Sequence, residues 1–336
     1  MSDTYKFIMK KRVASLDLAR VVCMLYIIGV WHLNNYLSPA YQFSPLANDI
    51  LSGVTVAALG TFSYISGYLL REYTFHSRSD VAFFYRKRFI RFWPLFALSA
   101  VSLFLMHWMD AGQFFFGVSG LALFTPSPLR TLWYISMLMS FYAITPLVRW
   151  KISNQTVSLG RFFCLSAMLL VFYLLFLKGI VDPRYLMYSP VYIWGLFSKD
   201  LKFSKSQWLG VLLSSILLIT LVFVFLREAY IVRDVLYSVL GCAIIMSTCF
   251  LSPYKWQSSR VVSFLAYGSM SAYLFHRQLF GIVLFVCGIK NGDGAYLHLW
   301  VALIVLFAVF IIAWCIQSIY DRISSSILIE RQTKSL

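Results

Sequence analysis

The stretch LARVVCMLYIIGVWHLNNY, residues 18–36, places Arg20 and His32 in one almost wholly apolar run. A run of this length crosses a bilayer as a helix, because a helix satisfies its own backbone hydrogen bonds in hydrocarbon. An ionisable side chain at membrane depth is costly unless it has a partner, and it is therefore a candidate functional residue. The stretch predicts a membrane-spanning helix that carries two such residues.

Similar apolar runs recur along the rest of the chain. Of its 336 residues, 60% are hydrophobic and only 12% are charged, whereas a soluble domain carries about twice that share of charge. The alternation of polar and apolar residues that marks a transmembrane β-barrel is absent. The sequence therefore predicts an all-α fold, a polytopic transmembrane helical bundle of about ten helices, formed as a single domain by residues 1–336. The expected spans lie near 15–36, 48–70, 92–109, 131–149, 162–178, 187–198, 207–226, 234–251, 261–288 and 298–319, of which the sixth is short and the ninth interrupted.

The basic residues are unevenly distributed along this pattern. The formal net charge is +16, and most of the 29 Lys and Arg residues fall in alternate loops, on one side of the predicted bundle. This asymmetry follows the positive-inside rule and places both termini in the cytoplasm. Because topology explains the excess of positive charge, nucleic acid is not an expected partner. No small-residue cleavage site follows the first run, so we expect that run to be retained.

Local alternatives exist for both ionisable residues of the first run. Asp17 and Arg20 are three residues apart and can form an ion pair near the cytoplasmic end of the helix. His32 lies about 18 Å further along the helix axis, and therefore near the outer leaflet. Taken alone, His32 also fits a hydrogen-bonded histidine between two helices.

A second polar cluster lies in FYRKRFIRFWPLF, residues 84–96, where Arg86, Lys87, Arg88 and Arg91 precede Pro94. Such a cluster can anchor the cytoplasmic end of a span. Four cations within six residues exceed that need, however, and the planar guanidinium suits bidentate contact with phosphate. Arg86 and Arg88 point in different directions on a helix, so they can hold different phosphate groups of one cytosolic ligand.

A third polar stretch is YGSMSAYLFHRQLFGI, residues 267–282, where His276 and Arg277 fall at mid-membrane. It indicates either a polar cavity or a break in the helix. The stretches FSYISGYLL, residues 62–70, and LWYISMLMSFYAITPLV, residues 132–148, fit a small-residue packing site and a helix with aromatic ends. No spacing of Cys, His or acidic residues predicts a metal site.

In order along the chain, these five stretches resemble the motifs of the integral-membrane acyltransferase family 3, whose members O-acylate bacterial surface sugars. SLDLARVVCMLYIIGVWH is similar to that family's first helix, and FSYISGYLL to its second. YRKRFIRFWP resembles the family's R-x-R entry into the third helix, and LWYISMLMSFYAITPL its L-W-F/Y…P helix. SAYLFHRQL resembles a late Y-L-x-H-x-P-L motif, with Gln278 where proline is usual.

The resemblance implies an O-acyltransferase, expected to be an O-acetyltransferase, of the bacterial inner membrane. The donor would be cytosolic acetyl-CoA or another acyl-CoA, with no permanently bound cofactor and no metal. The acceptor would be a hydroxyl of a cell-surface glycan or of its polyprenyl-linked precursor. Membrane lipid would be a further partner of the protein. Some members of the family carry a fused hydrolase-like domain, and we expect none in this chain.

The resemblance also assigns roles to residues. His32 would act as the general base, and Arg20 would line the polar path beside it. Donor phosphates would be held by the cations of the second cluster, namely Arg86, Arg88 and Arg91. Further candidates for the lining of the cavity are Ser66, Trp133, Tyr273 and His276. The alternative function is a transporter or flippase for polysaccharide or lipid-linked sugar, which binding or turnover of acetyl-CoA would distinguish.

Overall fold

A computed structural model describes residues 13–32, 44–124, 132–150, 170–198, 203–226, 229–286, 288 and 295–333. Within these ranges the regular secondary structure is helical, apart from a single parallel bridge between Phe75 and Trp150. The helices are α1 Ala14–Tyr26, continued by a π-helical turn Ile27–His32, α2 Pro45–Tyr68, α3 Arg78–Leu105, α4 Ala111–Val118, a 3-10 turn Ala122–Phe124, α5 Trp133–Val148, α6 at 170–177, α7 Arg184–Phe197, α8 Lys205–Phe225, α9 Tyr230–Leu251, α10 Tyr254–Gln257, α11 Arg260–Val286 and α12 Ala295–Thr333. The predicted all-α fold is confirmed for the described residues.

Six helices of the described part are long and apolar enough to cross a membrane. They are Ala14–His32, Leu46–Tyr68, Arg78–Leu105, Lys205–Phe225, Tyr230–Leu251 and Leu303–Ser324. The count of about ten spans and the cytoplasmic position of both termini stay predictions. Residues 1–12, 334–336 and the first part of the expected span 162–178, residues 162–169, lie outside the described residues.

Two expectations about element boundaries are wrong. The span expected to be interrupted, 261–288, contains one continuous helix, α11, so His276 and Arg277 do not mark a helix break. The span expected near 92 is part of a helix that begins at Arg78, where a reciprocal capping box between Ser77 and Asp80 starts α3. Such a box satisfies otherwise unpaired N–H groups and fixes a helix start that apolar periodicity alone does not show.

The stretch FSYISGYLL is a packing site, as its small residues predict. A Cβ on Gly67 of α2 would lie 2.2 Å from the carbonyl oxygen of Tyr192 in α7, and a Cβ on Gly195 would lie 2.2 Å from that of Tyr64. The two helices therefore touch through their backbones, which only small residues allow. On the other side of α2, α1 packs against both α2 and α11. That arrangement brings together the two histidines of the predicted site.

Candidate active site

His32 and His276 form a buried hydrogen-bonded pair, which we call the histidine pair. His32 Nδ1 lies 2.6 Å from His276 Nε2, and the two ring planes are within 6° of each other. His32 ends the π-helical turn after α1, whereas His276 lies in the middle of α11. Wider turns of this kind within α-helices occur often at functional sites, because they redirect a side chain without breaking the helix.

The backbone of α11 determines which nitrogens of the histidine pair carry hydrogen. His276 Nδ1 lies 2.8 Å from the carbonyl oxygen of Tyr273 and 3.2 Å from that of Ala272. A carbonyl oxygen only accepts, so Nδ1 of His276 is the donor and Nε2 of the neutral ring is bare. His32 must then donate from Nδ1 to His276, and the lone pair of His32 is on Nε2. The pair is thus arranged to present a base at His32 Nε2.

The same hydrogen bond limits the charge of the histidine pair. One of the two nitrogens that share the bond has to be bare, so the pair carries at most one positive charge. Both rings are buried among apolar helices, where an unpaired charge is costly, and the cation Arg277 follows His276 directly in α11. In the resting state we therefore assign both rings as neutral. A positive charge on the pair would arise only when a proton is taken from another molecule.

Access differs between the two rings. His276 has no exposed surface, whereas 7% of the surface of His32 remains exposed. Among the described residues, no protein group forms a hydrogen bond with Nε2 of His32. His32 is therefore the more accessible ring of the pair, and His276 contacts it from the buried side.

Hydrogen bonds hold helix α3 against α11 beside the histidine pair. The Gln278 amide nitrogen donates to the hydroxyls of Ser99 and Ser102, at 2.9 and 3.0 Å, and the Ser99 hydroxyl donates to the carbonyl of Leu274 at 2.7 Å. Gln278 thus makes polar contacts that the proline usual at this position could not make. Ser99 lies eleven residues beyond Arg88 in α3, about 16 Å along the helix axis. Helix α3 therefore runs from the predicted donor site at Arg88 to a contact with α11 beside the histidine pair.

The cations of α3, Arg86, Arg88 and Arg91, are called the arginine group. Arg86 and Arg91 are exposed, whereas Arg88 is half-buried. The Arg88 guanidinium carbon lies 5.4–5.7 Å from the ring centres of Tyr73, Phe84 and Tyr142. Its Nε is buried and has no hydrogen-bond partner within the described part of the chain. A guanidinium held by aromatic faces but lacking a carboxylate there is well suited to bind an anion.

Arg149, which the sequence analysis did not identify, stabilises the backbone next to Arg88. It is 3% exposed and lies at the C-terminal end of α5, where a cation is favoured. Its Nε donates to the carbonyl of Tyr73 at 3.1 Å, and its Nη2 donates to the carbonyl of Arg71. Since Tyr73 forms one wall around Arg88, Arg149 fixes the backbone that carries this wall.

The remaining predicted residues lie at different distances from the histidine pair. Arg20 Nη1 is 3.5 Å from Asp17 Oδ1, so the local ion pair expected from the sequence is present. Tyr273 lines the pair, with its ring centre 6.0 Å from that of His276. Trp133 reaches it indirectly, through ring contacts with Tyr134 and from there with Tyr273. Among the described contacts, none joins Ser66 to the pair.

Comparison with known proteins agrees with the motifs. A family model described as an acyltransferase domain matches residues 13–318. Because the match covers most of the chain, the protein belongs to this family, the membrane acyltransferases of family 3. Neither the curated proteins nor the solved structures gave a match. Family membership and the apolar helices together identify the chain as a membrane acyltransferase.

Proposed function

We propose that this membrane acyltransferase is an O-acetyltransferase of the bacterial inner membrane. It transfers the acetyl group of cytosolic acetyl-CoA to a hydroxyl of a cell-surface glycan or of its lipid-linked precursor. The observation that carries the proposal is the histidine pair, in which His32, the more accessible ring, keeps a bare Nε2 among the described residues. Family membership supports acyl transfer, and histidine is the side chain best suited to proton transfer near neutral pH.

In the proposed reaction, Nε2 of His32 removes the proton of the acceptor hydroxyl as its oxygen attacks the thioester carbonyl. His276 accepts the hydrogen bond from Nδ1 of His32 throughout and stabilises the imidazolium that forms. The tetrahedral intermediate then collapses, the carbon–sulfur bond breaks, and the CoA thiolate takes the proton from His32. The products are an acetyl ester and free CoA, and the histidine pair returns to its neutral state.

The arginine group is the proposed binding site for the CoA phosphates. Arg88 is held in place by three aromatic rings, so little conformational entropy is lost when it binds a phosphate. From Arg88, the pantetheine arm would follow α3 towards Ser99, about 16 Å away by the helix rise. Arg20, half-buried beside Asp17, would line the cytoplasmic part of this passage.

The proposal is tested with purified protein in detergent. CoA should raise the melting temperature, because a ligand that binds only the folded state stabilises it. The protein should also release CoA from acetyl-CoA when a glycan acceptor is added. Absence of both effects would favour the alternative, a transporter or flippase, since such a protein has no use for a thioester.

The side from which the donor enters is tested separately in cells. A cysteine placed at Lys87, between Arg86 and Arg88, should react with a membrane-impermeant thiol reagent only from the cytoplasmic side, and CoA should slow the reaction. A cysteine placed at Asn35, which lies outside the described residues, should react from outside. Labelling of position 87 from outside would overturn both the topology and the donor site.

A further inference from the structure

Arg184 is a charged residue at the outer end of the bundle that the proposed reaction has not used. It is the first residue of α7, at the end where the helix dipole disfavours a cation, and it lies on the side that the positive-inside rule leaves poor in basic residues. Its guanidinium carbon stands 4.5 Å from the ring centre of Trp133 at the start of α5. Neither helix stability nor topology accounts for an arginine at this position.

Arg184 and Asp182 form an ion pair that has donors and an acceptor available for a ligand. Asp182 Oδ1 accepts from the backbone N–H of Arg184 at 2.9 Å and lies 3.5 Å from its Nε. Neither terminal nitrogen of the guanidinium has a hydrogen-bond partner within the described ranges, and Oδ2 of Asp182 has none there either. The side chains of Arg184 and Asp182 are 34% and 15% exposed. Together they present N–H donors next to a carboxylate acceptor, without net charge.

Aromatic rings connect this ion pair to the histidine pair. The ring of Trp133 under Arg184 contacts Tyr134 at 5.7 Å, Tyr134 contacts Tyr273 at 5.9 Å, and Tyr273 contacts His276 at 6.0 Å, between ring centres. A row of ring contacts therefore runs from the ion pair to His276, the hydrogen-bond partner of the proposed base.

We propose that Arg184 and Asp182 form the acceptor subsite and bind the hydroxyls of a neutral saccharide unit. Each sugar hydroxyl both donates and accepts, so a paired guanidinium and carboxylate with free N–H groups and a free oxygen complements it. The pair has no net charge, so a uronic acid or sugar phosphate gains little net attraction there but still loses the hydration of its own charge, and it should bind less well. This inference rests on the proposed function, since it assigns the acceptor side of that reaction.

The test measures CoA release from acetyl-CoA by the purified protein, with and without methyl pyranosides and their uronic acid counterparts as probes. The neutral glycosides should stimulate release more than the acidic ones. Arg184→Gln and Asp182→Asn should each reduce the stimulation at least tenfold and leave thermal protection by CoA unchanged. Lys178→Gln, which removes another exposed cation of the outer side, should keep the wild-type response.

Equal stimulation in wild type and Arg184→Gln would overturn the subsite, and so would stronger stimulation by the acidic sugars. A wild-type protein that binds CoA but responds to none of the probes would also overturn it and leave the proposed function standing. If the wild type neither binds CoA nor releases it from acetyl-CoA, the proposed function itself fails.

Discussion

The histidine pair and the arginine group are two polar regions inside one apolar bundle, and their hydrogen bonding differs. In the pair, a backbone carbonyl, His276 and His32 form a continuous chain of hydrogen bonds that ends, among the described residues, at Nε2 of His32. In the arginine group, Arg88 is surrounded by aromatic rings and its buried Nε has no hydrogen-bond partner in the described part. The first region is prepared to move a proton, and the second is prepared to bind an anion.

This difference predicts two kinds of defect. Changes to the histidine pair should lower kcat and leave the binding of acetyl-CoA intact, because they affect an interaction that matters in the transition state. Changes to the arginine group should raise KM for acetyl-CoA with little effect on kcat. If both regions gave the same kinetic defect, the division into chemistry and binding would be wrong.

The largest effect is expected for His32→Ala, which removes the general base. Transfer should fall by about 10²- to 10⁴-fold, the usual contribution of a positioned base. Thermal protection by CoA should be retained, and expression should match that of His76→Ala, a control at an exposed histidine outside the candidate site. Near-normal transfer by the His32 variant would contradict the assignment of His32 as the general base.

A smaller loss is expected for His276→Ala, because this residue acts only through His32. Loss of one hydrogen bond to a group that becomes charged corresponds to about 1.5–3 kcal/mol, or about 10- to 150-fold in kcat. His276→Gln should recover part of the rate, since its amide oxygen can accept from Nδ1 of His32. Equal rates for the Ala and Gln variants would indicate that His276 has a packing role instead.

In the arginine group, Arg88→Gln should raise KM for acetyl-CoA by about 10- to 150-fold, as expected for one charge-assisted contact of about 1.5–3 kcal/mol. Arg86→Gln is the matched comparison, and we expect a smaller rise because Arg86 is exposed and no ring of the described residues holds it in place. The double variant should bind most weakly of all. Unchanged affinity in the double variant would make the group a topological anchor and nothing more.

The smallest effect is expected for Arg149→Gln. The variant loses the bonds that hold the carbonyls of Arg71 and Tyr73, so the aromatic wall beside Arg88 loosens. KM for acetyl-CoA should rise about fivefold, corresponding to about 1 kcal/mol, and kcat should stay unchanged. Arg149→Lys keeps the charge and one donor group, so its KM for acetyl-CoA should lie between the values of the wild type and of Arg149→Gln. A loss of kcat would show that Arg149 supports more than the donor site.

The two regions also differ in how far the sequence predicts them. The arginine group lies within one turn and a half of α3, so its residues could be recognised from their local spacing. The histidine pair joins residues 244 positions apart, and no periodicity indicates which of the buried polar residues meet. The role of Arg149 depends on two backbone carbonyls of a connecting segment, which carry no side-chain signal. Apolar run length predicted the helical class well, whereas the start of α3 depended on a capping box.

The most direct test of the central claim, that the two histidines act as one unit, is a double-mutant cycle on kcat. Residual transfer from radiolabelled acetyl-CoA is measured for His32→Ala, His276→Ala and the double variant, with thermal protection by CoA as the control for folding. If His276 acts only through His32, the double variant should be as slow as His32→Ala alone, because the second substitution has nothing left to remove. If the two losses multiply instead, the histidines contribute independently, and the proposed hydrogen-bonded base is contradicted.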